Sequence, residues 1–322
     1  MSIAGVRYRF SGQLGSGLAV LPLAALGSAL LCGLAYGYIN VYNPLIYIQA
    51  LVTFGTCWLL GMAVSRAARS AKVRNPGFVA GMSLLAGLLG LYAVWTVFEF
   101  AFLQRFAPAG VGMTPSLATC LVSPGMAVNF ADTLAQAGWW TLGRSGSPVS
   151  GILLWIFWAV EAACIVGGTV YLAHTDFVKG VFCEDCGQWC KETQDVARGE
   201  LSTDAQMLAG LKEGDLERFA ALPPPLTGEK SYFRLDQRMC EGCGNLGTYQ
   251  VHKIVTTVDK NKKEETKTEQ LTPNLLLTPD SVQALGGLIS RGKTRAQAKK
   301  PFAAPPGGDT PAEEAPPAAP EA

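Results

Sequence analysis

The sequence predicts an α-helical membrane protein of four transmembrane helices, joined to a small cytoplasmic α+β domain. Three observations predict it. Charged residues make up 16% of the 322 positions, against about 25% in soluble chains. The shortage is confined to one half: residues 1–173 hold eight Lys/Arg and three Asp/Glu, whereas residues 174–322 hold 18 and 22. Five of the nine cysteines gather in that polar half, four of them in two copies of one short motif. This split excludes a single soluble core. The formal net charge of +1 argues against a nucleic-acid machine driven by bulk charge, so no nucleic-acid partner is expected.

Residues 1–16 form a cytoplasmic arm carrying Arg7 and Arg9. The transmembrane domain, 17–173, follows with spans at about 17–39, 44–64, 78–103 and 151–173, each near or above the ~20 residues that a helix needs to cross a bilayer. Asn43-Pro44, Asn75-Pro76 and Ser147-Pro148 read as helix starts: a polar cap, then a Pro at the first helical position, where its missing N–H costs nothing. The first apolar run is too long for a signal peptide, and Cys32-Gly33-Leu34-Ala35 is a poor cleavage site, so this helix is expected to be retained.

Basic residues set the orientation. Arg66, Arg69, Lys72 and Arg74 lie between spans two and three, whereas the outer loop 104–149 has only Arg105 and Arg144. The excess belongs on the inner side, which places both termini in the cytoplasm and the chain in a bacterial inner membrane. Loop 104–149 is too long for a bare connection. Pro108, Pro115 and Pro124 break its first part, and 127–140 reads as a helix with Phe130, Leu134, Ala137 and Trp140 on one face. That helix either lies on the outer leaflet, with Trp139 and Trp140 among the headgroups, or packs on the spans as a lid.

Small residues recur in the spans: Gly33 and Gly37, Gly77 and Gly81, Ser83 and Gly87, Gly167 and Gly168. They let helix backbones approach closely, first within the bundle and then between copies, and the sequence leaves the oligomeric state open. Two carboxylates, Glu161 near mid-span and Glu99 near the outer end of span three, lie where an acid costs up to about 2.5–3.5 kcal/mol. They support two readings. One is a proton or cation relay from Glu161 to Glu99. The other is a structural hydrogen bond from Glu161 to a neighbouring helix through Tyr47, Gln49 or Thr53.

The cytoplasmic domain, 174–290, carries the strongest motif. Cys183-Glu184-Asp185-Cys186-Gly187 and Cys240-Glu241-Gly242-Cys243-Gly244 are matching turns. Two residues between thiolates let one tight turn present both sulfurs to one ion, and the following Gly permits the backbone to turn N–H groups toward sulfur. Cys183, Cys186, Cys240 and Cys243 thus supply the tetrahedral thiolate set of a structural Zn2+, with iron the lesser candidate. A reducing compartment favours metal over disulfides. This twin C-x-x-C-G pattern resembles zinc ribbons and the rubredoxin-type knuckle. The resemblance covers only these turns and the strands around them, and it implies a metal-stapled β module and no reaction.

The 53 residues between the knuckles exceed the usual 15–20, so a helical insertion over 203–222 is expected, with a Thr203/Gln206 capping box and a break at Gly214-Asp215. Tyr232-Phe233-Arg234-Leu235 reads as a strand feeding the second knuckle, and 249–258 with 266–271 as a β-hairpin. Thr278-Pro279-Asp280 caps a final helix to about 290, and the Pro/Ala-rich tail 291–322 is expected to be disordered. Cys190 is weighed as a spare ligand and set aside, His252 reads as a surface side chain, and His174 suits a helix C-terminus.

Neither H-E-x-x-H nor G-x-S-x-G occurs, no phosphate-cradling loop is expected, and the two histidines stand apart from any acid cluster, so the chain is expected not to be an enzyme. The functional expectation is a polytopic membrane protein whose cytoplasmic domain binds a protein partner. The alternative is a conducting or transport-accessory bundle using Glu161 and Glu99.

Overall fold

The computed structural model describes residues 6–43, 46–106, 115–141, 148–226, 228–258, 264–277 and 285–287. Four helices are long and apolar enough to cross a membrane: α1 (Gly17–Tyr42), α2 (Ile46–Ser70), α3 (Pro76–Phe106) and α6 (Ile152–Phe177). They form a bundle in which α1 packs on α3, α3 on α6, α6 on α2 and α2 on α1. Its outer surface shows Leu23, Leu31, Leu51, Phe54 and Ile156 to the surroundings, whereas Leu21, Tyr36, Leu60, Leu154 and Ile165 are fully buried. Glycine sets the closest approaches. A Cβ on Gly37 would sit 2.6 Å from Val97 Cγ1 and 2.8 Å from the Phe98 backbone nitrogen, and one on Gly87 2.9 Å from Val166 Cα. These pairs work within the bundle. Gly81 and Gly167 face open space.

The Asn75-Pro76 start is as expected: α3 begins at Pro76, and Asn75 Oδ1 accepts from the Phe78 N–H at 3.0 Å. Pro44 and Pro108 lie outside the described residues. The Ser147-Pro148 start is overturned. Pro148 belongs to a short strand, β2 (Pro148–Val149), paired with β1 (Trp139–Thr141), and α6 begins only after Gly151. Gly151, at φ 64°, turns the chain from strand to helix, and a two-residue edge strand tolerates the missing N–H of Pro148.

Two short helices, α4 (Leu117–Val122) and α5 (Pro124–Ala137), lie between α3 and α6. The helix expected over 127–140 therefore runs earlier, because Gly138 at φ 86° ends it and releases Trp139 and Trp140 into β1. Its buried face is Ala127, Ala131, Leu134 and Ala135. With Trp140 and Val149, this face packs on Phe98, Ala101, Leu154 and Trp158. Of the two readings of this loop, the geometry is that of the lid, and the Trp139 ring packs tilted against Phe98 at 5.6 Å between ring centroids.

The polar half opens with a hairpin of β3 (Phe182–Cys183) and β4 (Gln188–Trp189). An antiparallel sheet follows: β5 (Lys191–Glu200), β6 (Tyr232–Met239), β7 (Gly247–Val258) and β8 (Glu264–Gln270) in that order, with β9 (Leu275–Leu276) also on β7. Helices α7 (Ala205–Glu213) and α8 (Leu216–Ala221) form the expected insertion between β5 and β6, broken at Gly214 in the left-handed conformation. The cap of α7 is Asp204 rather than Thr203. Its carboxylate, one position closer, accepts from the Gln206 N–H at 3.0 Å.

The sheet has two unlike faces. Phe233, Leu235 and Val251 pack on Leu211, Leu216 and Phe219 of the insertion. The other face carries Arg234, Asp236 and Arg238 opposite His252, Gln250 and Thr248. The final helix capped at Thr278 and the tail 291–322 fall outside the described residues, apart from a helical turn at 285–287 whose Leu285 joins the core.

The polar domain sits directly on one end of the bundle. The arm adds to its sheet: Leu276 N donates to Val6 O at 2.7 Å, and Tyr8 N to Asn274 O at 2.9 Å. Phe10 stacks on Phe177 at 5.4 Å between ring centroids. The α2–α3 connection holds the first knuckle. Arg74 pairs with Glu184 at 3.4 Å and lies over the Phe182 ring, while Trp189 Nε1 donates to Arg69 O at 2.8 Å.

Candidate metal centre

Four sulfurs separated by up to 60 positions in sequence meet at one point. Cys183 ends β3, Cys186 lies in the turn to β4, and Cys240 and Cys243 lie in the turn from β6 to β7. Their Sγ atoms all fall within 4.8 Å of one another, and Cys183 Sγ is 3.7 Å from Cys243 Sγ. The local sequence explains each turn. Gly187 and Gly244 have φ of 61° and 67°, a conformation that a side chain would strain. In the second turn Gly244 N donates to Cys240 O, and Cys240 N to Leu246 O, both at 2.9 Å. The absent side chain of Gly242 leaves room for the opposite knuckle: a Cβ there would lie 3.0 Å from Cys186 Sγ.

The donor set fits a metal ion. Four thiolates at about 2.3 Å from a tetrahedral centre lie about 3.8 Å apart, close to the Cys183–Cys243 separation and far from the ~2.05 Å of a disulfide. Backbone N–H groups point at the sulfurs. Those of Cys243 and Gly242, with the Gln188 amide, lower the Cys240 thiol to about 6. Hydrogen bonds from Asn245 and Leu246 lower Cys243. Burial raises Cys183. Contact with the Cys243 sulfur raises Cys186 to about 12. The arrangement can hold one ion with all four positions filled by protein, leaving none open for a substrate.

Cys190 is half-buried outside the cluster, with its thiol pushed up to about 12 by burial. His174 lies in the last turn of α6. His252 is not a surface side chain. Only 13% exposed, it sits 3.2 Å from Asp236 Oδ2, and burial lowers its pKa. The reason is register, because β7 places it on the polar face opposite Arg234. Cys120 is the buried residue of α4.

Glu161 meets Gln49, as one of the two readings expected, with Gln49 Nε2 2.9 Å from Glu161 Oε1. Tyr36, which sequence reasoning missed, also donates to Glu161 Oε1 and contacts Thr53 Oγ1 at 2.6 Å. Tyr47 is exposed. Glu99 is buried elsewhere, and its Oε2 has no partner among the described residues. Glu161 and Glu99 thus share no hydrogen-bonded side chain there.

Gln188 was also missed, since a Gln two places beyond Cys186 carries no motif signal. The expectation of no phosphate-cradling loop needs a correction, because residues 287–294 fit G-x-x-x-x-G-K-[ST]. A working loop of that type follows a strand. Here the first glycine ends a helical turn at 285–287, and 288–294 lie outside the described residues.

The fold and site together define four apolar helices bearing a sheet domain with a tetracysteine cluster. Comparison with protein-family models, curated proteins and solved structures found no match for this chain.

Proposed function

We propose that this chain is a four-span membrane protein whose polar domain is stapled by one structural Zn2+ on Cys183, Cys186, Cys240 and Cys243 and serves as a rigid docking module for a protein partner on the cytoplasmic side. The observation that carries it is the convergence of the four sulfurs. A structural ion suits a sheet domain with a small core, because it fixes two turns that apolar packing alone would leave loose. The closed ligand shell favours a scaffold over a reaction. Topology is coherent with insertion. The arm before α1 is hydrogen-bonded to β9 after α6, so both lie on one side, which requires an even number of crossings. The basic loop between α2 and α3 lies at that same end, as the positive-inside rule asks of the cytoplasmic side.

Metal analysis of the full chain, purified without chelator, is expected to give one zinc per chain and no visible absorption from iron. Well under one ion, with the four thiols shown reduced, overturns the staple. Alkaline extraction tests the other half: the chain is expected to stay with the membrane pellet.

A second reading, a proton- or cation-conducting bundle, rests on the Glu161–Tyr36–Gln49 cluster inside the helices. Glu161→Gln keeps the shape and most hydrogen bonds. Under the docking reading this variant retains the parent phenotype, and stability falls by no more than about 1–2 kcal/mol. If Glu161 conducts, proton or cation flux in reconstituted vesicles falls to the protein-free background.

A further inference from the structure

Between the polar face of the sheet and the end of α6 lies a cleft of about 570 Å³. We propose that it is a binding site for the phosphate headgroup of an anionic membrane lipid, with Arg7 and Lys179 as the cations that receive it. This rests on the reading that the four helices cross a membrane.

The chemistry of the lining is one-sided. Arg7, Lys179, Tyr171, Thr175, Gln250 and Asn274 contribute to it, and no carboxylate does. Arg7 and Lys179 are exposed, and neither has a salt-bridge partner among the described residues. On the polar face of the sheet, Asp236 is engaged by Arg234 and His252, and Glu192 by Arg238. The side-chain oxygens of Gln250 and Asn274 both accept from Arg238 Nη1 at 2.7 Å. Gln250 can therefore turn its amide N–H groups toward an anion, whereas Asn274 Nδ2 already donates to Lys179 O at 3.3 Å and has one N–H left. A concave site with two unpaired cations and no acid favours a phosphate.

Position selects a lipid over a soluble phosphate. Tyr171, Thr175 and Val178 line the cleft from one face of the last turns of α6, at the boundary between its apolar run and the polar domain. Tyr171 is 68% exposed there, where an amphipathic ring belongs at headgroup level. Arg7 is held over the opening by the pairing of the arm with β9. Cationic clefts beside a membrane helix on the cytoplasmic side are suited to anionic headgroups.

The test is lipid retention by the full chain in detergent, read by native mass spectrometry, with phosphatidylglycerol, phosphatidylcholine and inorganic phosphate as probes. Phosphatidylglycerol is expected to be retained and phosphatidylcholine not, and millimolar phosphate is expected not to displace it. Lys179→Ala and Arg7→Ala should each weaken retention about fivefold. Lys179→Arg should preserve it, as should Lys212→Ala on the insertion across the sheet. Zinc content and circular dichroism of each variant show that it is folded. Equal retention of the two lipids, unchanged retention in both alanine variants, or displacement by phosphate alone overturns the proposal. A chain that resists alkaline extraction yet gives any of these results loses the lipid site and keeps the membrane reading. A chain that is extracted loses both.

Discussion

Cys240→Ser is expected to bring metal content from one ion to near zero per chain. It should also raise hydrogen exchange through the β3–β4 turn and the β6–β7 turn, leaving α1, α2, α3 and α6 protected. Cys240 is the anchor to choose because three donors converge on its sulfur: the Cys243 and Gly242 N–H groups and the Gln188 amide at 3.4 Å. Serine keeps the size but offers a hydroxyl that does not ionise near neutrality. Structural zinc contributes apparent free energies of about 10–16 kcal/mol in small finger peptides. A domain's whole stability is about 5–15 kcal/mol, so even partial loss should be felt across the sheet. Cys190→Ser, outside the cluster, is the matched control and is expected to retain the ion. Full metal occupancy in the Cys240 variant would sink the tetrathiolate assignment.

Gly37→Leu should disrupt the helix bundle while sparing the metal centre. The close approach of α1 to α3 leaves no space for a side chain at Gly37, with Val97 and the Phe98 backbone both within 2.8 Å of where a Cβ would sit. Overpacking usually costs about 1–3 kcal/mol. Here part of the obstruction is main chain, which cannot rotate away, so the upper end is expected. The thermal midpoint of detergent-solubilised protein should fall clearly, whereas Gly81→Leu, which meets nothing within 4 Å, should leave it unchanged. If both substitutions behave alike, the close α1–α3 contact is not a determinant of the bundle.

What the sequence made legible follows from how far each signal reaches. Twenty-residue apolar runs and twin C-x-x-C-G turns are strong because each is sufficient within its own segment. Four long helices and a joined sulfur cluster are what the fold contains. The insertion was legible through Gly214-Asp215, whose backbone conformation needs those residue types. Strand β5 was not. Its sequence, Lys191 to Glu200, lacks a period-two apolar pattern because its first half is exposed and the register shifts between Thr193 and Ala197. Pro148 misled because a proline before a helix and a proline in a short edge strand look alike until Gly151 is seen to make the turn. Tyr36 and Gln188 were invisible for a different reason: each acts on a group far along the chain, and only folding brings the two together.

The pairing of Val6 with Leu276 also dictates an order of events at the ribosome. The arm is made first and stays single until a segment about 270 residues later emerges, on the order of 15–50 s at ordinary elongation rates. By then all four apolar helices have been synthesised, so the latch closes over a finished bundle. Nascent chains stalled short of that segment should expose the arm to protease, and full-length chains should shield it.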